Sequence, residues 1–256
     1  MKHHVATITA CLTVAVLAAS CSSDLPKSSP AATNPPAGTS APSPTAPFNG
    51  DGAAEIWRKA DLEAGRATSF HVVLKSFFLK QPVSMDMSLS SGPKAVGAIT
   101  LKGHTLKIRR IRKDLWFQAG RGFWRDQAIT GRSADVLAGR WVKVRQGNPA
   151  LSTLFDLTNM TYVRKEFISA AGTNVVYTHV RDGKKIDGHQ TVGLTARARG
   201  IEGEYQVTIN VASEGSPLPL RFLALSAKKN RGEHRLYSQW NKKVTVSPPS
   251  NALKAP

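Results

Sequence analysis

The chain has 256 residues, with 35 Lys and Arg against 17 Asp and Glu, a formal net charge of +18. The length suits one domain, or a domain plus a tail. Two cysteines exclude a disulfide-stapled mini-protein and any multi-cysteine zinc or iron–sulfur site, and 41% hydrophobic residues are too few for a multi-span membrane protein.

The N-terminus reads as an export signal. Lys2, His3 and His4 precede a stretch without charge from Val5 to Ala19, apolar from Val5 to Leu17. About 15 residues are too short for a membrane span of about 20 but suit a signal peptide. The run ends in Leu17-Ala18-Ala19-Ser20-Cys21. Small residues just before a cysteine resemble the bacterial lipobox, although Ala18 stands where Leu is more usual. That resemblance implies cleavage after Ser20, a diacylglycerol on the Cys21 sulfur and lasting anchorage by the acyl chains. The alternative is an ordinary secretory signal cleaved near Ala19, with Cys21 incidental. Under the lipobox reading Cys11 leaves with residues 1–20, Cys21 is acylated, and no thiol remains for catalysis or a disulfide.

Residues 22–50 hold 23 Pro, Ser, Thr, Ala or Gly among 29. Such a stretch cannot bury enough apolar surface to offset its ordering entropy, so 21–50 reads as a lipidated cysteine plus a disordered tether. The folded domain is expected over 51–250, with 251–256 as a tail.

In the domain, Ile56, Trp57, Ala60 and Leu62 to Ala64 form a helix-like stripe. The period then switches to two. Val83, Met85, Met87 and Leu89 alternate with polar residues, as do Tyr205, Val207, Ile209 and Val211, and Phe70, Val72, Leu74, Leu106 and Ile108 repeat the pattern less cleanly. Residues 132–137 and 148–167 read as short helices, with Ser133 and Ser152 as caps. The segment Leu115 to Trp124 reads as a tight hairpin with aromatics on both arms. These elements predict one α+β domain: a long antiparallel meander with one polar face and helices covering the other.

No chemistry-bearing motif stands out. The chain has no phosphate-binding glycine loop, no His-Glu-x-x-His helix and no Gly-x-Ser-x-Gly elbow. His71, His104, His179, His189 and His234 read as isolated, and Asp182 and Asp187 as turn residues. No enzyme activity, metal or cofactor is expected. The densest basic run, Lys107 to Lys113, lies in an alternating strand rather than among stacking aromatics, so nucleic acid is not expected as a partner. Solvated surface charge, or attraction to anionic lipid or wall polymer, accounts for it. Each tryptophan reads first as core packing.

Taken in order, the segments resemble the LppX/LprAFG group of bacterial envelope lipoproteins, which share the LolA-like fold. The resemblance is carried by Leu115, Trp116, Gly120, Phe123 and Trp124, then Leu137, Gly139, Arg140, Trp141 and Val142. A late Gly215, Pro217, Pro219, Leu220 and Arg221 follow, then Ser238, Asn241, Val244 and Pro248-Pro249. It implies a strongly curved antiparallel sheet, a half β-barrel, with helices covering its concave face over an apolar cavity. It also implies a monomer exported to the cell envelope, anchored through Cys21 to the outer face of the cytoplasmic membrane, that carries acylated lipid or glycolipid. Phe70, Val72, Leu74, Met85, Met87, Leu89, Ile99, Leu106, Ile108, Val207 and Ile209 could line that cavity. The same side chains would equally make a filled core. An envelope sensor or interaction module of the same fold, binding a protein partner or anionic wall polymer, is the alternative function.

Overall fold

The computed structural model describes residues 48, 50–78, 81–129, 131–147, 151–169, 175, 177–200, 203–226 and 232–254. The export signal, Cys21 and nearly all of the tether lie outside the described residues. Phe48, within the segment read as tether, is buried against the domain.

The domain opens with α1 (Ala53–Arg66), which buries Ala53, Ile56, Trp57, Ala60 and Ala64 along one stripe. Among the described residues eleven strands paired antiparallel follow. They run β1 (Ser69–Phe78), β2 (Gln81–Ser90), β3 (Lys94–Leu101), β4 (His104–Ile111), β5 (Asp114–Gln118) and β6 (Trp141–Arg145), then β7 (His179–Asp182), β8 (Thr191–Gly200), β9 (Gly203–Ala212), β10 (Pro219–Ser226) and β11 (Gly232–Ser238), with β1 and β11 neighbours in the sheet although far apart in sequence. A two-residue β12 (Leu253–Lys254) pairs parallel with β6, inside the segment read as a tail. All twelve strands form one sheet in the order β12-β6-β5-β4-β3-β2-β1-β11-β10-β9-β8-β7. The sheet is open and curved, a half barrel, as expected.

Four short helices, α2 (Arg121–Asp126), α3 (Gly131–Leu137), α4 (Ser152–Leu157) and α5 (Met160–Arg164), cover the inner face together with α1, and a π-helical turn (Lys165–Ser169) continues α5. Two local expectations are corrected. Leu115 to Trp124 is not a hairpin: β5 ends at Gln118, Gly120 caps α2, and the second aromatic pair rides on that helix. Tertiary packing decides this, because α2 brings Phe123 and Trp124 over Phe117 at centroid distances of 5.9 and 5.3 Å. Nor do the two serines cap. Ser133 lies inside α3, and the N-cap of α4 is Leu151. The side-chain cap belongs instead to Asn159, whose carbonyl oxygen accepts from the backbone of Thr161 and Tyr162 at the start of α5.

Sheet curvature is tightest to explain at Gly97 in β3. Its φ is +154°, and a Cβ there would lie 2.0 Å from the Asp86 carbonyl oxygen and 2.9 Å from Met87 Sδ. Only glycine lets β2 and β3 approach this closely while Met87 folds over the inner face.

From β11 the chain turns through Gln239 and Asn241, both with positive φ, and crosses the outer face toward β12. Asn241 ties this strap to the start of β1 by accepting from the Thr68 amide, 2.8 Å. Arg109 holds its far end by donating to the Ser247 carbonyl, 3.2 Å.

Candidate functional site

The inner face is where sequence pattern and geometry meet. Strand register places Phe70, Val72 and Leu74 of β1 beside Met85, Met87 and Leu89 of β2, and Met85 beside Ile99 of β3. Ile99 faces Leu106 on β4, and Val207 and Ile209 of β9 extend the same surface beyond β11 and β10. All eleven residues expected to line the interior therefore share one face and one apolar cluster, and none is more than 5% exposed. The alternation of the strands brings them together; burial of each large side chain stabilises the fold by about 1.5–3 kcal/mol.

The cluster also draws in residues that the sequence pattern did not single out for the interior. Leu115 and Phe117 of β5, Val142 and Val144 of β6, Leu194 of β8, Phe222 of β10 and Tyr237 of β11 join it from the sheet. Leu154, Phe155, Met160, Val163 and Ile168 join it from the helical cover.

Among the described residues two arginines point inward, and they hold the cover. Arg110 is 5% exposed, yet it alternates with Leu106 and Ile108 on the inner face. Its guanidinium donates to the Phe155 carbonyl (2.8 Å), the Thr158 hydroxyl (3.1 Å) and the Arg112 carbonyl (3.0 Å), and lies 5.4 Å from the Phe155 ring. A cation at the C-terminal end of α4 meets the helix dipole favourably. Burial nonetheless lowers its pKa from the ordinary arginine value.

Arg235 of β11 sits between the Phe167 and Phe222 rings, 5.1 and 4.5 Å from their centroids. It pairs with Glu233 at 2.6 Å and donates to the Phe167 carbonyl in the π-helical turn. Burial disfavours its charge, but Glu233 and the Tyr237 hydroxyl outweigh that, and the net shift of its pKa is upward. Burial pushes the Tyr237 phenol up to about 12 despite the adjacent arginine, and raises Tyr177 further.

The histidines are less isolated than the sequence implies. His71 hydrogen-bonds Asp86 at 2.8 Å across β1 and β2, and His104 hydrogen-bonds Asp126 of α2 at 2.7 Å. Of the tryptophans, Trp57, Trp116 and Trp124 are buried, but Trp116 lies on the outer face beneath Lys143, whose ammonium is 5.4 Å from the ring. Among the described residues no group of three or more His, Cys, Asp or Glu converges to hold a metal ion, and no helix is long and apolar enough to cross a membrane.

These features can be set beside known proteins. No protein-family model matches the chain, and no curated protein sequence matches it. Solved structures do. LprF from Mycobacterium bovis superposes with a TM-score of 0.54 over 77% of this chain and 96% of that one, at 15% identity. The chain has the LprF fold. The lipoprotein LppX of Mycobacterium tuberculosis matches with a TM-score of 0.47 over 76% of this chain and 98% of that one, at 16% identity. The half barrel expected from the framework motifs is borne out as a fold by the sheet itself and by the LprF match.

Proposed function

We propose that the chain is an exported envelope lipoprotein, anchored through acylated Cys21, that carries an acylated lipid or glycolipid against the inner face of its half barrel without covalent chemistry. The observation that carries this reading is the mismatch between the two sides of the interior. The sheet side is an apolar surface drawn from strands on both flanks of β1, interrupted where Arg110 and Arg235 tie down the cover. Opposite it, four helices of five to seven residues each form much of the cover. Short pieces joined by connections can part more easily than one long helix, and Met85, Met87 and Met160 adapt their shape to what enters. The force would be hydrophobic transfer of acyl chains from water to this surface, about 0.8 kcal/mol for each buried methylene. The resemblance to the LppX/LprAFG group in the framework motifs supports the same reading.

The test uses the full chain with Cys21→Ser, which removes the covalent anchor, expressed in a bacterial host and purified without detergent. Mass spectrometry of its organic extract should show acylated lipid in near-stoichiometric amount. A lipid-free protein with a fully protected core would overturn the carrier reading and leave the interaction module as the function to pursue. In parallel, the intact mass of the unsubstituted chain should exceed that of the Cys21→Ser chain by the mass of its acyl groups, after allowing for removal of the leader.

A further inference from the structure

Charge is divided unevenly between the two layers of the fold. The five helices and the π-helical turn hold eight Lys and Arg against seven Asp and Glu, so the cover is close to neutral. Several of these pair within the layer, as Arg58 does with Glu55, Arg66 with Glu63 and Arg121 with Asp135. The outer face of the sheet is different. Register places Lys94, Lys107, Arg109, Lys143 and Arg145 on the outer face of β3 to β6, with Asp114 as the one carboxylate among them. Lys254 of β12 is in register with Lys143, and the strap from Gln239 to Lys254 adds Lys242 and Lys243 and has no Asp or Glu.

Some of these groups are already engaged. Lys143 pairs with Asp114 at 2.8 Å and lies over the Trp116 ring. Arg109 donates to the Ser247 carbonyl and lies 4.9 Å from the Trp141 ring centroid. Asp86, the neighbouring outer-face carboxylate on β2, is hydrogen-bonded to His71 at 2.8 Å. That leaves Lys94, Lys107, Arg145, Lys242, Lys243 and Lys254, all exposed and, among the described residues, without an ion-pair partner. A single exposed lysine needs no partner. Six on one layer, opposite a layer that is balanced, make a field with a direction.

We infer that the strap side of the sheet's outer face docks on an anionic lipid bilayer, with these six cations as its contacts. The face is convex and offers no open aromatic rings, since Trp116 is buried and Trp141 is covered by Arg109. Single-stranded nucleic acid is held instead in a groove, its bases stacked on such rings. Lipids diffuse sideways in a bilayer, so separate cations can each gather an anionic headgroup, each worth about a fivefold change in affinity. Docking by this face leaves the helical cover turned away from the bilayer. The contacts lie on the opposite side of the sheet from the apolar interior, so the inference stands or falls apart from the carrier reading.

The full chain with Cys21→Ser, which has no covalent anchor, would be sedimented with vesicles of phosphatidylglycerol in phosphatidylcholine and of phosphatidylcholine alone. The leader is common to all variants, and its apolar run enters both vesicle types alike. Binding should favour the anionic vesicles and fall steeply as salt rises from about 0.05 to about 0.5 M. Lys107→Gln combined with Lys243→Gln should weaken it roughly 25-fold, about fivefold for each charge lost. Arg125→Gln combined with Arg132→Gln removes the same net charge from exposed positions of the cover and should change binding little. Thermal unfolding should show both double variants folded. Equal losses in the two would assign the attraction to net charge rather than to this face, and overturn the inference. Equal binding to both vesicle types would overturn it as well, as would retention by poly(glycerol phosphate), a wall-polymer backbone, without binding to vesicles.

Discussion

Arg235 and Tyr237, two residues apart on β11, donate to one acceptor, the carbonyl oxygen of Phe167. That oxygen belongs to the π-helical turn, so a single backbone atom pins the cover to the middle of the sheet. Tyr237→Phe removes one donor while the other stays in place, and should cost about 1 kcal/mol in urea denaturation. Arg235→Met leaves the half-buried Glu233 without its cation and the Phe167 carbonyl with one donor fewer, and should cost about 1–3 kcal/mol. If Arg235→Met matched wild type, the pairing would be dispensable.

The same burial makes an optical prediction. With its phenol pushed up to about 12, Tyr237 should stay protonated until well above the ordinary tyrosine range. Alkaline titration by tyrosinate absorbance should therefore show part of the tyrosine signal arriving late, together with unfolding. Tyr237→Phe should reduce that late fraction.

Arg110 makes a similar tie between β4 and α4. Lysine keeps the charge but cannot reach the carbonyls of Phe155 and Arg112 and the Thr158 hydroxyl with a planar fork. Arg110→Lys should lower stability by about 1–3 kcal/mol, with Thr158→Ala costing less because the guanidinium keeps its two carbonyl acceptors. Equal stability of Arg110→Lys and wild type would count against the tie.

Gly97→Ala places a methyl against the Asp86 carbonyl at a φ that side-chain-bearing residues rarely adopt. The expected loss is at least about 1–3 kcal/mol, read as a shift of the thermal midpoint. Gly92→Ala is the control, because a Cβ there meets nothing within 4 Å. Comparable losses in the two variants would contradict the close approach.

Burial first, then Arg221 of β10 and Lys75 of β1, hold the His234 imidazole below the ordinary histidine range, which fixes the sign of a pH dependence. The unfolded chain takes up a proton near the ordinary histidine value, about 6.5, before the folded chain does. This group therefore stabilises the fold at neutral pH relative to acid, and its contribution is lost as pH falls below that value. The drop in urea midpoint between pH 7.5 and 5.5 should be smaller in His234→Gln, and smaller in Lys75→Gln, which lifts the imidazole pKa. An unchanged drop in both would remove His234 as its source.

Much of the architecture is legible in the residues themselves. Met85, Met87 and Leu89, and Val207 and Ile209, announce their face by strict alternation, and α1 announces its stripe by Ile56, Ala60 and Ala64. Arg110 was legible in principle too, because it shares the parity of Leu106 and Ile108; the surrounding run of basic residues hides it as surface charge. β8 is harder to see, since two of its four inward positions are the alanines 196 and 198. The path from Gly120 into α2 is not local information at all. Gly-Arg-Gly reads as a turn, and only the contact of Phe123 and Trp124 with Phe117 makes a helix the better solution. β12 is set by the strap that delivers it to β6, which no periodicity in two residues can encode.

The two outermost strands are also the shortest, β12 with two residues and β7 with four. A long, flat rim would offer a foreign strand a ladder of unmet amides and carbonyls, the usual route by which sheets recruit one another into aggregates. Tapering both rims to a few residues leaves an approaching chain little to zip onto. A twelve-stranded sheet can thereby remain open along its edges without becoming adhesive there.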